Sequence, residues 1–85
     1  MRQHVGELLL EFFEFYGTEF DPKTYSISVR TGELLRKKQH QSASPLVIED
    51  PIVPEWNVAA CVDAKGLHKI RKECRRATRI LSTLP

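Results

Sequence analysis

The residues with the clearest chemical potential lie in one segment, residues 49–62, which reads E-D-P-I-V-P-E-W-N-V-A-A-C-V. Pro51 and Pro54 each fix a backbone angle and remove a donor, so regular secondary structure cannot pass through them. The side chains that such a stiffened loop could present at a fixed place are the acidic pair Glu49 and Asp50 and, at its far end, Glu55, Trp56 and Asn57. The alternative is a loop that only joins a strand to a helix, with Trp56 filling the core as buried aromatic residues usually do.

The sequence arranges no groups that would make the chain a catalyst by itself. Its eleven acids include no D-x-D pair, whereas two-metal phosphoryl transfer needs several carboxylates converging on ions about 4 Å apart. It also contains no glycine-rich phosphate loop and no nucleophile motif. Cys61 and Cys74 lack the spacing of a metal-ligand pair, and we interpret Cys74 as a small core residue. We therefore expect no catalytic residue and no metal ligand in this chain.

A second feature with chemical potential is the basic C-terminal segment. Residues 63–85 contain seven Lys and Arg against two acids, a net charge of +5, although the whole chain carries only +2. The residues that could contact RNA phosphates are Lys69, Lys72, Arg75 and Arg76. One interpretation is a surface that follows a phosphate backbone, and the other is the solvated face of an amphipathic helix. No aromatic residue lies among these bases, so stacking of single-stranded bases on this segment is not indicated.

Two amphipathic helices are predicted to position these residues. Residues 5–16 carry apolar side chains at i, i+3 and i+4 spacing, and further apolar residues lie outside that face. This helix needs apolar partners on more than one side, and Gly17 is predicted to end it as the C′ residue. Asp63 is predicted to cap a second helix over residues 64–83. Its apolar stripe is Leu67, Ile70, Cys74, Ala77, Leu81 and Leu84.

Extended structure is predicted between the two helices. Residues 24–30, T-Y-S-I-S-V-R, alternate between apolar and polar side chains, which is typical of a half-buried strand. Thr31 and Gly32 indicate a turn. Residues 34–44 are polar and lack periodicity, so we interpret them as a mobile surface loop. Residues 46–48 are predicted to form a second strand that pairs with the first.

Length and composition limit the class of protein. Eighty-five residues with 41% hydrophobic and 28% charged side chains are typical of one small globular domain, or of part of a larger one. No apolar run approaches the roughly 20 residues needed to cross a bilayer, and there is no signal peptide. We expect no membrane association and reduced thiols in an intracellular compartment, the cytoplasm or the nucleus.

Four motifs, taken in order, resemble one known family. They are the helix V-G-E-L-L-L-E-F-F-E-F-Y-G with F-D after it, the strand S-I-S-V-R, I-E-D-P followed by N-V, and the helix G-L-H-K-I-R-K-E-C-R-R-A. Together they resemble the PAP-associated region of noncanonical poly(A) and poly(U) polymerases, the terminal RNA nucleotidyltransferases. The resemblance spans about residues 4–82.

The resemblance implies a position within a larger enzyme. Members of the family bind the nucleoside triphosphate, ATP or UTP, in a cleft between a polymerase-β-like catalytic domain and a mainly helical central domain. The catalytic domain carries the aspartates that bind Mg²⁺ or Mn²⁺. Residues 1–85 would belong to the central domain as its PAP-associated region. The expected fold class is α+β: an N-terminal helix, a short antiparallel β pair, a recognition loop and a long C-terminal amphipathic helix. The chain is expected to be a fragment that lacks the catalytic domain, to bind no cofactor alone and to be inactive alone.

The resemblance also implies roles for individual residues of the loop at residues 49–62. Asp50 matches the aspartate at the start of the family's nucleotide recognition motif, and Asn57 matches its asparagine. Trp56 stands where uridylyl-adding members usually have a histidine that faces the base. Val53 stands where those members often have a glutamate. An indole has one donor and no acceptor, so Trp56 cannot reproduce the hydrogen bonds of a histidine.

The predicted function is therefore nucleotide recognition in a template-independent RNA 3′-terminal nucleotidyltransferase, which adds AMP or UMP. The partners would be a nucleoside triphosphate, the RNA 3′ end and the catalytic domain. The alternative is a free-standing RNA- or protein-binding module that uses the basic helix at residues 64–83.

Overall fold

The computed structural model describes residues 5–83, which form two helices and a small sheet. Helix α1 (Val5–Glu14) continues into a π-helical turn (Phe15–Glu19). Strands β1 (Tyr25–Ser28), β2 (Glu33–Arg36) and β3 (Ile48–Glu49) follow, with a 3₁₀ turn (Gln39–Gln41) between β2 and β3. Helix α2 (Ala64–Ser82) ends the described chain. The predicted α+β class is confirmed.

The chain divides into a helical unit and a sheet unit. The helical unit joins the residues up to Phe20 to those from His68 onward, and the sheet unit is Asp21–Leu67. The most buried apolar residues of the helical unit are Phe20 and Cys74, at 4% and 8% exposure. Those of the sheet unit are Val47 and Ala59. The prediction of Cys74 as a core residue is confirmed.

The end of α1 differs from the prediction. Gly17 does not adopt the positive φ of a C′ glycine and lies buried within the π turn. A Cβ at this position would lie 3.0 Å from Cγ of Arg75 and 3.1 Å from its backbone nitrogen. Gly17 is therefore needed for the close approach of the π turn to α2 rather than for a left-handed helix end, and its prediction as a C′ residue is wrong.

Helix α1 carries more apolar surface than the described residues cover. Val5, Leu8, Leu9 and Phe12 are 72%, 49%, 43% and 53% exposed, and no residue of α1 is buried. By contrast, the aromatic residues that follow pack together, with ring centroids of Tyr16 and Phe20 5.6 Å apart. The exposed side chains thus belong to the predicted apolar face of α1 itself, whereas Leu10 and Phe15, which lie outside that face, are half-buried.

The sheet has the strand order β2-β1-β3, with β1 in the centre. Strands β1 and β2 are antiparallel, with Tyr25 opposite Arg36, and Gly32 forms their turn at a φ of +72°. Strand β3 pairs with β1 in the parallel direction, with Ile27 opposite Ile48. The antiparallel pair is present, but its second strand is β2 and not residues 46–48.

The interpretation of residues 34–44 as a loop is therefore wrong in its first part. The sequence E-L-L-R of β2 has no alternation of apolar and polar side chains, so periodicity could not identify it. Its strand conformation comes from backbone hydrogen bonds to β1, whose edge it covers. Tertiary pairing overrides weak local preference here, as is common for strands.

The face of β1 that is most buried is the serine face. Ser26 and Ser28 are 0% and 3% exposed, whereas Tyr25 and Ile27 are only half-buried. The hydroxyl of Ser26 donates to the carbonyl oxygen of Leu35 at 3.3 Å, and the hydroxyl of Ser28 accepts from that of Thr31 at 2.9 Å. These bonds offset the desolvation of the two hydroxyl groups.

Helix α2 follows its prediction closely. Oδ1 of Asp63 accepts from the backbone nitrogen of Gly66 at 2.7 Å, which confirms the N-cap. On the predicted apolar stripe, Cys74 is buried, Leu67, Ala77 and Leu81 are half-buried, and Ile70 is exposed. Leu84 lies outside the described residues. Among those residues, no helix has the length and apolar character that a membrane span requires.

Candidate functional site

The backbone closes the segment after β3 into a small loop. The backbone nitrogen of Asp50 donates to the carbonyl oxygen of Trp56, and that of Val58 donates to the carbonyl oxygen of Ile48, both at 2.9 Å. Glu49 and Asn57 form an isolated antiparallel bridge between these two bonds. The predicted loop therefore has two hydrogen-bonded sides, and residues 50–56 make its closed end.

Asp50 fixes the first turn of this loop. Its Oδ1 accepts hydrogen bonds from the backbone nitrogens of Ile52 at 2.8 Å and Val53 at 3.0 Å. The amides of Val53 and then Ile52 stabilise the carboxylate and lower the pKa of Asp50 below the ordinary value of an aspartate. Within residues 5–83, no group donates to Oδ2. One oxygen of Asp50 is thus structural, and the other is open to a ligand.

Asn57 fixes the other side of the loop to β3. Its Oδ1 accepts from the backbone nitrogens of Ile48 and Ala59, each at 2.9 Å. Its Nδ2 donates to the carbonyl oxygen of Leu46, also at 2.9 Å. Both lone pairs of the amide oxygen and one amide hydrogen are therefore used within the protein. The structure places Asn57 as the residue that holds the loop on the sheet, while contact with a nucleotide stays a prediction.

Trp56 is the residue that the loop presents. Its side chain is 65% exposed, and its indole nitrogen has no hydrogen-bond partner in the part of the chain that the structure describes. The alternative in which Trp56 fills the core is therefore wrong. Ile52 and Val58, at 86% and 53% exposure, also have large apolar side chains in solvent along this segment. The loop has an apolar and aromatic exposed side, held by polar contacts on its inner side.

The four predicted RNA-contact residues of α2 fall into different environments. Nη1 of Arg75 donates to the carbonyl oxygen of Gly17 at 2.9 Å, so this guanidinium is bound within the helical unit. Arg76 is exposed and pairs with Glu73 one helical turn earlier, at 3.1 Å. Lys69 and Lys72 are exposed, and neither has an ion pair among residues 5–83. Contact of these two lysines with RNA stays a prediction.

The structure adds one basic residue to this surface and shows that a further basic residue of α2 is bound elsewhere. Arg79 is exposed and continues the spacing of 3, 4 and 3 residues that starts at Lys69 and runs through Lys72 and Arg76. Arg71 resembles these residues in sequence, but its Nη1 donates to the carbonyl oxygen of Phe20 at 2.7 Å. The helical spacing predicts the row, whereas the carbonyl partners of Arg71 and Arg75 come from distant parts of the sequence.

Glu49, one of the two adjacent acids that the loop was predicted to present, is instead buried. It is 6% exposed, and its Oε2 has no hydrogen-bond partner among the described residues. An acid directly before Asp50 and a proline suggests an exposed turn, because acids are almost never fully buried unless paired. Its burial comes from its position in β3, where it lies opposite Ser28 of the central strand.

Residues 5–83 bring together no group of three or more His, Cys, Asp or Glu that could hold a metal ion. The arrangement therefore does not fit a metal site within this described part. Both cysteines are free thiols, Cys61 exposed and Cys74 buried.

Comparison with known proteins defines the class to which this arrangement belongs. The family model described as Cid1 family poly A polymerase matches residues 4–55, which is more than half of the chain. The chain therefore belongs to the Cid1 family of poly(A) polymerases, and the resemblance seen in its motifs is confirmed. Several of its homologues are named poly(A) RNA polymerases, and others are named terminal uridylyltransferases.

The similar proteins include both a poly(A) RNA polymerase and a terminal uridylyltransferase. The chain is 33% identical over 85 residues to Caffeine-induced protein 16 of Schizosaccharomyces pombe, covering 95% of this chain and 7% of that protein. It is 35% identical over 79 residues to the mitochondrial poly(A) RNA polymerase of Drosophila melanogaster, covering 93% and 12%. It is 35% identical over 82 residues to human terminal uridylyltransferase 4, covering 95% and 5%. The chain thus spans a small part of the length of these relatives.

Solved structures of similar proteins share the fold. A crystal structure of mtPAP in complex with UTP superposes with a TM-score of 0.86 at 28% identity, covering 100% of this chain and 17% of that one. A crystal structure of the Cid1 poly(U) polymerase with MgGTP bound gives a TM-score of 0.87 at 32% identity, covering 100% and 27%. Those proteins bind nucleoside triphosphates.

Proposed function

We propose that this chain is the nucleotide-recognition part of a template-independent RNA 3′-terminal nucleotidyltransferase that adds AMP or UMP. The observation that carries the proposal is the exposed Trp56, held by Asp50 and Asn57 at the end of a closed loop. A fixed and exposed aromatic ring is suited to contact a nucleobase, because every base has a face on which such a ring can stack. Membership of the Cid1 family supports the same function.

In this proposal Trp56 contacts the base directly, whereas Asp50 and Asn57 act chiefly by positioning it. Asp50 also offers Oδ2 to a donor on the nucleotide. The chemical step, with the binding of Mg²⁺ or Mn²⁺ and of the triphosphate of ATP or UTP, belongs to a polymerase-β-like catalytic domain.

We further propose that α2 binds the RNA near its 3′ end through a basic row formed by Lys69, Lys72, Arg76 and Arg79. All four are exposed and follow helical spacing, so they lie along one side of α2 over about 15 Å. Such a row can follow a phosphate backbone without reading its sequence. Arg75, which was predicted to join this surface, is proposed to stabilise the helical unit instead. The two free thiols support an intracellular location, the cytoplasm or the nucleus.

A 3′-tailing assay tests the proposal. The 85-residue chain is assayed alone and joined to the catalytic domain of a relative, with a short RNA, Mg²⁺ and each of the four triphosphates. We expect tailing only by the joined protein, and we expect Trp56→Ala to raise its KM for the triphosphate. A folded joined protein that adds no nucleotide, or a Trp56→Ala variant with unchanged kinetics, would contradict the proposal.

The alternative is a free-standing module that binds RNA or protein through α2. The exposed basic row favours such binding, whereas the four exposed apolar side chains of α1 favour the burial of that helix in a larger body. Circular dichroism of the isolated chain separates the two. A cooperative thermal transition of the monomer supports the module, and a non-cooperative or aggregation-coupled transition supports the larger enzyme.

A further inference from the structure

The polar groups of the loop that could identify a base are mostly used within the protein. The backbone nitrogen of Trp56 donates to the carbonyl oxygen of Val53, and its own carbonyl oxygen accepts from Asp50. Oδ1 of Asp50 accepts from two backbone amides, and the amide of Asn57 makes three bonds to the backbone. Among the side-chain groups of these three residues, the Asp50 Oδ2, the Trp56 indole N–H and the second amide hydrogen of Asn57 have no partner within residues 5–83.

These groups cannot distinguish the four bases by hydrogen bonding. The indole and amide N–H groups only donate, and a carboxylate oxygen only accepts. Every nucleobase carries both acceptors and N–H donors on its edges, so isolated donors and one isolated acceptor can be satisfied by any of them. Discrimination by hydrogen bonds requires a fixed pattern of several groups, and the described loop does not offer one.

An exposed indole can distinguish bases by size. Stacking on an aromatic side chain depends on overlapping ring area, and the bicyclic purines offer more area than the monocyclic pyrimidines. The loop restrains Trp56 through the bonds on both sides of it and through Pro51 and Pro54, so little backbone entropy is lost on stacking.

Resting on the proposed function, we propose that Trp56 selects the incoming nucleotide by stacking and favours purine triphosphates, ATP and GTP, over UTP and CTP. Preference follows ring area, so ATP and GTP are used to a similar extent. This selectivity differs from recognition of one base through its hydrogen-bonding edge.

The chain contains a single tryptophan, so its intrinsic fluorescence reports on Trp56 alone. The joined protein of the tailing assay, with every tryptophan of its catalytic domain replaced by phenylalanine, is titrated with ATP, GTP, UTP and CTP. We expect saturable quenching by all four, with dissociation constants for ATP and GTP at least about threefold lower than those for UTP and CTP. Equal constants, tighter binding of a pyrimidine nucleotide, or no quenching by any nucleotide would overturn the inference.

The joined enzyme of the tailing assay separates this inference from the proposed function. With equal concentrations of the four triphosphates, we expect purines to be added in preference, Trp56→Phe to keep that preference and Trp56→Ala to lose it. Ile52→Ala is the matched control, because Ile52 is the most exposed apolar residue of the same loop and its backbone bond to Asp50 is retained. We expect this variant to keep the preference.

The tailing assay distinguishes failure of selection by stacking from failure of the proposed function. Efficient tailing without a purine preference, or with a preference that Trp56→Ala leaves unchanged, rejects selection by stacking while the proposed function stands. No tailing by a folded joined protein rejects the proposed function and the selection that rests on it.

Discussion

The guanidinium of Arg75 donates a hydrogen bond of 2.9 Å to the carbonyl oxygen of Gly17, across 58 positions of the sequence. The bond forms because Gly17 has no side chain, so that the π turn after α1 comes within van der Waals contact of α2. It satisfies a carbonyl group at the end of a helix, where backbone acceptors lack intrahelical partners. An arginine that resembles an RNA contact in sequence thus stabilises the helical unit.

Replacement of Gly17 by alanine is expected to destabilise the protein. The added Cβ would lie 3.1 Å from the backbone nitrogen of Arg75, which cannot move away as a flexible side chain can. We expect the free energy of unfolding to fall by about 1–3 kcal/mol, as for overpacked interiors, measured by thermal or urea denaturation. Gly6→Ala is the matched control. A Cβ at Gly6 meets nothing within 4 Å, so that variant should be neutral or slightly more stable, and an equal loss in both variants would contradict the argument.

The two kinds of basic residue on α2 are expected to respond differently to alanine substitution. Lys72→Ala should weaken RNA binding and reduce the slope of log affinity against log salt by about 0.7 for single-stranded RNA, with unchanged stability. Arg75→Ala should lower the free energy of unfolding by about 1–3 kcal/mol, because it leaves a backbone acceptor without its charged donor.

Salt-dependent RNA binding and chemical denaturation of both variants check this contrast. Lys23→Ala, which removes an exposed lysine from the sheet unit, is the control for the loss of one positive charge. A loss of salt slope in Lys23→Ala equal to that in Lys72→Ala would show that net charge, and not the basic row, determines binding.

Asn57→Ala is expected to loosen the loop rather than remove a nucleotide contact. The substitution leaves the backbone nitrogens of Ile48 and Ala59 and the carbonyl oxygen of Leu46 without their partner. We expect the free energy of unfolding to fall by about 1–3 kcal/mol. We also expect the fluorescence of Trp56 to change, because the indole becomes more mobile in the loosened loop. A variant with native stability and fluorescence but a raised KM would instead show that Asn57 contacts the nucleotide.

The loop is expected to lose order in acid because of Asp50. The backbone amides of Val53 and Ile52 lower the pKa of Asp50 in the folded loop. On unfolding, the pKa of this carboxyl group returns to its ordinary value of about 3.9. The contribution of Asp50 to stability is therefore fully present above that value and is lost as the pH falls through the lower folded pKa. The fluorescence of Trp56 between pH 6 and pH 2 measures this transition.

Two asparagine substitutions serve as controls for the acid transition. Asp50→Asn keeps an oxygen that can accept from both amides but does not titrate, so the fluorescence change assigned to Asp50 should disappear. The pKa of Asp21 is also lowered, first by the hydroxyl of Thr24 at 2.6 Å, so Asp21→Asn should leave the Trp56 transition in place. Persistence of that transition in Asp50→Asn would show that another group controls the loop.

The sequence by itself determined the features that depend on neighbouring residues. Helix α2 follows from its apolar spacing and from the Asp63 cap, both of which act within one or two helical turns. The turn at Gly32 follows from the ability of glycine to adopt a positive φ. The motifs around I-E-D-P likewise identified the family, because order and spacing along the chain are properties of sequence alone.

Only the tertiary structure decided the features that depend on distant partners. Strand β2 exists because β1 offers it an unpaired edge, and its own sequence does not alternate. The sequence does not distinguish Arg75 from Lys72, since both are basic residues of one helix. The fold distinguishes them, because Arg75 donates to the carbonyl oxygen of Gly17. Trp56 could have filled a core or faced solvent, and its 65% exposure is set by the packing of the folded chain. Long-range hydrogen bonds and burial set these outcomes, and neither is encoded in the spacing of neighbouring side chains.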